Sequence, residues 1–437
     1  MERLSRRTVL KTGLGLGAAA GLSPFLQGCG DNGESGSDDN SGTPQGTVKV
    51  WMHQEDLFNQ VFQSAVADYR KQFPNVTIEP LQIPLPQLDT KLQTALIGDQ
   101  APDIVKTGGW TLANYIRKRQ LEPVSLPAVG AKSYDEFADR YQENALSSLT
   151  FDERVYGVPI DFNTTYLFYR RDRFAQAGLD PDKPPTTWEQ VAEYSKKLTT
   201  TGAGGKKIGW QWFYTTPIWS ELELTPLVRG LGGRILSEDG SSSSLSSPEG
   251  IKALEYVASV GDPKLSNKND VYGMFADGVA AMQLSGVFSV SLTHSFNSKA
   301  VFGDTFDCAP VPQWASAKEK TASGYTWAWT VPAKAKNKFT AWHFINFLQD
   351  RKVTDASLKT AGLIVPTKDW QKEPVAKGKE FQILSDQVSY ADFGTPVPAW
   401  NEMAQALTDA IAAVANGKKP ADKAAKDFDD AMKGVLG

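Results

Sequence analysis

The sequence predicts an α/β protein of two lobes, each a mostly parallel sheet flanked by helices, joined by crossing hinge segments. Three observations carry this. At 437 residues the chain exceeds what one hydrophobic core supports, so at least two domains are expected. Short strand-like runs alternate with longer helical patterns, as in βαβ units, and the alternation restarts in the second half. Between the halves lies Tyr156 to Phe174, YGVPIDFNTTYLFYRRDRF. It opens on Gly157 and Pro159, continues as an alternating strand and closes on charges. We read it as a crossover between lobes, with Asp161 and Asn163 facing the gap.

Thr47 to Trp51 alternates and forms the first strand. Apolar residues at 58, 61, 62, 65, 66, 69 and 73 give a helical face that Pro74 ends. Val76 to Ile83 is a strand, Leu88 to Ile97 a helix ending at Gly98, and Ala101 to Val105 a short buried strand. Gly108-Gly109-Trp110 then leads into a helix from Leu112 to Arg119. In such a sheet, ligand-facing loops sit at the carboxyl ends of strands, here His53-Gln54-Glu55 and Thr107 to Trp110.

Beyond the crossover, Thr187-Trp188-Glu189-Gln190 is a capping-box start for a helix to Leu198. Gly202 to Gly205 is a turn, and Ile208 to Tyr214 an aromatic strand that enters a loop carrying Trp219. Ser237 to Ser247 is a Ser-rich surface loop, and Ser247-Pro248 starts a helix to Val260. A short helix, 272–276, ends near Gly278, and a strand, 279–284, stops at Ser285-Gly286. Phe306 to Pro312 reads as a second crossing. Gly324 to Val331 is a strand with Tyr325, Trp327 and Trp329 on one face. Helices follow over 339–348, 400–416 and 420–433.

Charged residues make up 22% of the chain and hydrophobic residues 41%, ordinary for a soluble globular protein. The net charge is −4, and no basic stripe interleaves with aromatics, which argues against nucleic acid as a partner. Twelve Trp is a high count and suits a surface that meets ligands through flat apolar faces. The three histidines, His53, His294 and His343, lack ligand spacing, so neither a metal nor a Ser-His-Asp site is indicated. No cofactor motif emerges; Gly15-x-Gly17-x-x-Ala20 follows no strand.

Residues 1–28 have a basic start with Arg6-Arg7, an apolar Gly/Ala-rich centre and small residues before Cys29, the layout of an export signal. The paired arginines resemble a twin-arginine signal. Leu26-Gln27-Gly28-Cys29 resembles a bacterial lipobox, which implies cleavage before Cys29 and lipidation of its sulfur. Residues 29–46 are polar and Gly/Ser/Asp-rich, a flexible tether reaching roughly 20 Å. With Cys29 consumed, Cys308 has no partner for an intrachain disulfide.

Taken in order, Val48-Lys49-Val50-Trp51, Ala101-Pro102-Asp103-Ile104-Val105, Tyr156-Gly157-Val158-Pro159 with Leu167 to Arg170, Thr187-Trp188-Glu189, Phe275 to Met282, Ala309-Pro310-Val311-Pro312 and Trp342 to Leu348 carry a resemblance. The chain resembles the extracellular solute-binding proteins of ABC importers, in the carbohydrate-binding family that includes maltose- and glycerol-3-phosphate-binding proteins. The resemblance implies a periplasmic-binding-protein-like fold with the solute held between lobes. Lobe one would be 47–159 plus 306–335, and lobe two 160–305 plus 336–437. It also implies a monomer outside the cytoplasmic membrane, lipid-anchored, that serves permease subunits and uses no cofactor.

Positions that match the family's ligand-contacting loops are His53, Gln54, Glu55, Gly109, Trp110, Asp161, Asn163, Trp212, Trp219, Phe288, Tyr325, Trp327 and Trp400. Aromatic rings stack on the C–H faces of a pyranose while planar polar groups bond its hydroxyl rim. Asn163 stands roughly where the maltose-binding pattern has a carboxylate, which argues against maltose itself. The expected function is therefore sugar capture without covalent chemistry. The rival readings are a glycerol phosphate or polyol ligand, for which Lys106 and Arg229 are the candidate anion contacts, and an extracellular glycoside hydrolase, which would need a spaced carboxylate pair.

Overall fold

The structure is a computed structural model that describes residues 42–436 apart from 99, 143–144, 203–204, 215, 263–270 and 370–376. The export signal, Cys29, most of the tether and residues 203–204 of the expected turn lie outside the described residues.

Lobe one opens with β1 (Gly46–His53), α1 (Asp56–Gln72), β2 (Val76–Ile83), α2 (Leu85–Ile97) and β3 (Ile104–Gly108). The helical face read from sequence is the one buried: Phe58, Val61, Phe62, Ala65, Val66 and Tyr69. A 3₁₀ turn at Gly109–Thr111 leads into α3 (Leu112–Arg117), followed by α4 (Tyr134–Ala138), the hairpin β4 (Thr150–Phe151) and β5 (Arg154–Val155), and β6 (Val158–Thr164). The chain then crosses at Thr165 into β7 (Tyr166–Arg170).

Lobe two contains α5 (Arg171–Gln176), α6 (Trp188–Leu198), β8 (Thr200–Gly202), β9 (Gly205–Gln211), α7 (Pro217–Gly230), α8 (Pro248–Ser259), α9 (Val271–Ala276), β10 (Ala280–Ser285), α10 (Ser289–Phe296) and β11 (Phe306–Ala309). Both expected caps form. Thr187 and Gln190 make a reciprocal capping box on α6, and Ser247 accepts from Gly250 N on α8. The chain returns to lobe one as β12 (Ala322–Thr330), α11 (Lys338–Phe347) and α12 (Arg351–Ala361). It passes α13 (Lys379–Gln387) and β13 (Ala391–Asp392), and ends in lobe two with α14 (Trp400–Ala415) and α15 (Ala421–Met432).

The first sheet has the order β13-β12-β3-β1-β2, with β6 also on β12; the second is β11-β7-β10-β9-β8. The strands β2, β1 and β3 are parallel, as are β9 and β10. The remaining pairings of the second sheet are antiparallel, so it is mixed rather than mostly parallel. The cause is connectivity: β7 and β11 carry the chain in and out of the lobe, and such strands enter against the βαβ direction.

Two of the expected boundaries shift. Residues 306–309 belong to lobe two, because β11 pairs with β7 and buries Phe306 and Cys308 with Phe168 and Phe275; the second crossing is 310–321. The stretch 336–365 belongs to lobe one. Trp342, Phe344 and Ile345 join its core, and Phe344 lies edge-on to Tyr69 at 4.8 Å. The helices α7 and α10, whose apolar residues do not keep to one face, carry too weak a period to be read from sequence alone.

One buried side chain knits the crossings together. Gln387 Nε2 donates to Thr164 Oγ1 and Thr165 O, both at 2.9 Å, while its Oε1 accepts from Val311 N at 2.8 Å. It sits at the end of α13, just before the third crossing.

Asp103 locks lobe one. Its carboxylate accepts from Lys49 N at 2.9 Å and from Lys336 N and Asn337 N at 3.0 Å, tying β1 to the start of α11. Asp103→Ala leaves three N–H groups unpaired and is expected to cost about 2–4 kcal/mol, measured as a lower urea midpoint with an unchanged slope.

Candidate functional site

The carboxyl ends of β1 and β3 and the middle of β12 meet lobe two around a cavity of about 550 Å³. Trp110, Trp327 and Lys106 line it from lobe one, and Trp400, Ile218 and Pro217 from lobe two. A glycine pair makes the lobe-one wall possible. A side chain at Gly108 would run into the Trp110 ring, and one at Gly109 would strike Ser148. Trp110 therefore folds back over the strand end to lie edge-on to Trp327, 4.8 Å between centroids. Across the gap, Trp110 is 5.9 Å from Trp400. His53 also packs on Trp327, tilted, with 4.5 Å between ring centroids.

A second aromatic group adjoins this one. Phe213, Trp219, Leu222 and Tyr325 form a buried cluster against which Tyr272, Phe288, Trp110 and Trp327 pack. Trp219 is 5.2 Å from Phe213 and 6.5 Å from Tyr325, so rings of both lobes meet. The Tyr325 hydroxyl rests over Gly286, where any side chain would collide with it. That hydroxyl and Glu223 Oε1 are buried without a hydrogen-bond partner among the described residues. Buried polar atoms of this kind are ordinarily paired; both lie beside the cavity rather than in its lining.

The charges beside the rings are internally matched. Lys106, 1% exposed, lies 2.6 Å from Glu55, with its ammonium 4.4 Å from the Phe58 ring centroid and 5.4 Å from that of Trp327. Burial alone would raise the Glu55 carboxyl, but Lys106 and then His53 outweigh it and hold it well below the usual carboxylate range. Burial, aided by the Lys106 charge, pushes His53 down. Asp161 is raised to about 7 by burial, against a weaker downward pull from the Ile364 N–H. In lobe two, burial pushes Glu223 well up and raises Glu221 to about 7. Glu221 Oε2 accepts from Trp400 Nε1 at 2.6 Å and so fixes that ring.

The structure thus brings His53, Glu55, Gly109, Trp110, Trp219, Phe288, Tyr325, Trp327 and Trp400 together, and not four other expected positions. Trp212 is buried in the lobe-two core, bonded to Val260 O at 2.6 Å and edge-on to Trp210 at 5.1 Å. Gln54 is exposed. Asp161 and Asn163 face inward at the crossing, where Asp161 accepts from Ile364 N and Asn163 from Val287 N. Sequence reasoning missed Phe213 and Tyr272 and cast Lys106 as an anion contact. A lysine inside the apolar run Ile104-Val105-Lys106 was a visible signal of a buried ion pair. Arg229, likewise, is paired with Asp392 at 3.1 Å.

Comparison with known proteins supplies a family. Residues 56–355 match the model of the bacterial extracellular solute-binding proteins. A galactooligosaccharide-binding protein of Bacillus subtilis is 21% identical over 435 residues, 95% of each chain. An sn-glycerol-3-phosphate-binding periplasmic protein of Shigella flexneri is 29% identical over 203 residues, 44% of each chain. Among solved structures, an ABC transporter solute-binding protein of Thermotoga lettingae TMO bound with α-D-tagatose superposes with a TM-score of 0.80 at 22% identity, covering 90% of this chain and 100% of that one.

Asp161 generates a pH prediction. Its folded pKa of about 7 lies above its ordinary 3.8, so between those values the folded chain keeps a proton that the unfolded chain releases. Stability then falls as pH rises through that window. Glu221, raised from 4.5 to about 7, adds the same slope. Asp161→Asn is expected to flatten the fall in melting temperature between pH 5 and 8, becoming stabilising relative to the parent at pH 8.

Proposed function

Because the chain belongs to the bacterial extracellular solute-binding proteins, we propose that it captures a neutral mono- or oligosaccharide between its lobes and delivers it to the permease of an ABC importer. The observation that carries the reading is the interlobe cavity walled by Trp110, Trp327 and Trp400, with its buried cation already neutralised. Rings stacking on sugar faces add about 0.5–1.5 kcal/mol each beyond burial, and neutral hydrogen bonds a similar net amount. Micromolar affinity requires about 8 kcal/mol, within reach of three rings and a few polar groups. A solute touching both lobes stabilises the closed form by its differential affinity for that form, and the closed form is what the permease would read. No covalent step is needed.

The glycerol-phosphate reading draws on the partial relative noted above. It is weaker here. A phosphate recruits free cations, and of the cavity-lining lysines Lys106 is bonded to Glu55 while Lys118 is exposed at the rim.

The anchoring reading rests on sequence. Leu26-Gln27-Gly28-Cys29 supports lipidation at Cys29 after export under the Arg6-Arg7 signal, placing the protein on the outer face of the cytoplasmic membrane. Two acyl chains suffice for stable attachment. Cys29→Ala is expected to shift the protein from the membrane to the soluble fraction, read by fractionation; unchanged membrane retention counts against the anchor.

For the ligand, a thermal-shift screen should show stabilisation by neutral sugars and none by glycerol phosphate. Trp110→Ala and Trp327→Ala should each weaken the best sugar about tenfold or more by calorimetry, as expected for losing a ring contact and its burial, with little change in melting temperature. Normal binding by both variants would place the site elsewhere.

A further inference from the structure

A polar bridge at the cavity is not explained by the aromatic floor. Asp89 stands on α2, which with Leu88, Leu92 and Gln93 forms a wall of lobe one. Asn401 stands in the first turn of α14, on the opposite wall, with Trp400, Glu402 and Gln405. The Asn401 side-chain amide donates to Asp89 Oδ2, joining residues 312 apart in sequence and on different lobes.

Asp89 is set for that role by its own lobe. The Tyr115 hydroxyl donates to Oδ1, and Gln93 Nε2 donates to Oδ2 at 3.0 Å. Tyr115 is fully buried. Burial, and then the neighbouring Asp89 charge, pushes its phenol far above the ordinary range, so it stays a donor. The partner is set from the other side: Trp400 Nε1 is bonded to Glu221 of α7 at 2.6 Å, which fixes the turn that carries Asn401. Each half of the bridge is thus held rigidly by its own lobe, and the two halves can touch only when the lobes are closed.

We propose that Asp89 is a positioning residue that draws the two lobes together over the cavity through Asn401, with or without a solute between them. A ligand-free fraction of the protein is then already closed, and because the bridge favours the closed form that holds a bound solute, it slows release and raises affinity without touching the sugar rings. The effect on affinity rests on the sugar-binding reading. The effect on lobe closure does not.

The test uses the full chain with one dye on an exposed position of each lobe, read by energy transfer without any ligand. Asn401→Ala removes the donor, and Asn401→Asp sets two carboxylates face to face. Both variants should lower the closed fraction, by about tenfold for a charge-assisted hydrogen bond, and the Asn401→Asp variant should close again as pH is lowered and the pair takes up a proton. A merely structural role would give no such recovery. For a sugar found in the screen, both variants should release it up to about tenfold faster at neutral pH with a similar association rate. Asp89→Ala combined with Asn401→Ala should be no more open than either alone. If ligand-free transfer efficiency is the same in all variants, the proposal is overturned. If it changes while no sugar binds, the bridge stands and the ligand reading falls.

Discussion

One hydrogen-bonded knot ties together the segments that join the two lobes. The chain passes between lobes three times, and Gln387 bonds the first crossing through Thr164 and Thr165 and the second through Val311 while standing at the threshold of the third. Beside it, Thr165 N donates to Ser323 O at 2.8 Å, pairing the first crossing with the start of β12. A primary amide has two donors and accepting lone pairs, so one residue can satisfy backbone groups from several strands without leaving any buried unpaired. The knot also holds strand register, since a one-residue slip would send each alternating side chain to the wrong face.

That constraint also orients the aromatic strand beside the cavity. With β6 and β12 paired through Tyr325 and Asn163, and through Trp327 and Asp161, the aromatic face of β12 has one orientation relative to the hinge. The irregularity between Trp327 and Ala328 places one extra residue, Ile160, in β6; along the same face of β12, Trp329 lies in the core against Phe58 and Phe62 while Trp327 reaches the cavity. Lys106 is the electrostatic counterpart. A buried ammonium without a partner is strongly unfavourable, and Glu55 answers it from the end of β1. The pair leaves no net charge on the floor, which is what a surface for stacked neutral rings requires.

Much of this was legible in sequence. The amphipathic face of α1, the capping box of α6, the crossover and the aromatic strand β12 all depend on local period or local chemistry, and the sequence states both. The errors have a physical pattern. Trp212 was read as a contact, yet in a strand running through Trp210 the period of two puts Trp212 on the same, core-facing side and turns Phe213 toward the cleft. Matching to the family's ligand-contacting loops, which is what points to Trp212, does not weigh this alternation. The lobe limits failed differently. Whether 306–309 and 336–365 join one sheet or the other depends on pairing partners more than a hundred residues away, such as β11 with β7, and no local window holds that information. Asp89 illustrates the extreme: an acidic residue on an otherwise ordinary amphipathic helix, given meaning only by Tyr115 and Asn401.

The balance between opening and closing follows from where polar groups are satisfied. Closure gathers Trp110 against Trp400 and brings Trp219 toward Tyr325, which favours the shut form through apolar contact. The Tyr325 hydroxyl and Glu223 Oε1 are nonetheless buried without partners among the described residues, which costs about 1–3 kcal/mol for each group. Apolar contact across the gap and unpaired buried oxygens thus act in opposite directions. On the sugar-binding reading a hydroxylated solute would offer faces to the rings that line the cavity, Trp110, Trp327 and Trp400, and would touch both walls at once, so the solute and the contact of Asn401 with Asp89 would favour the same closed form.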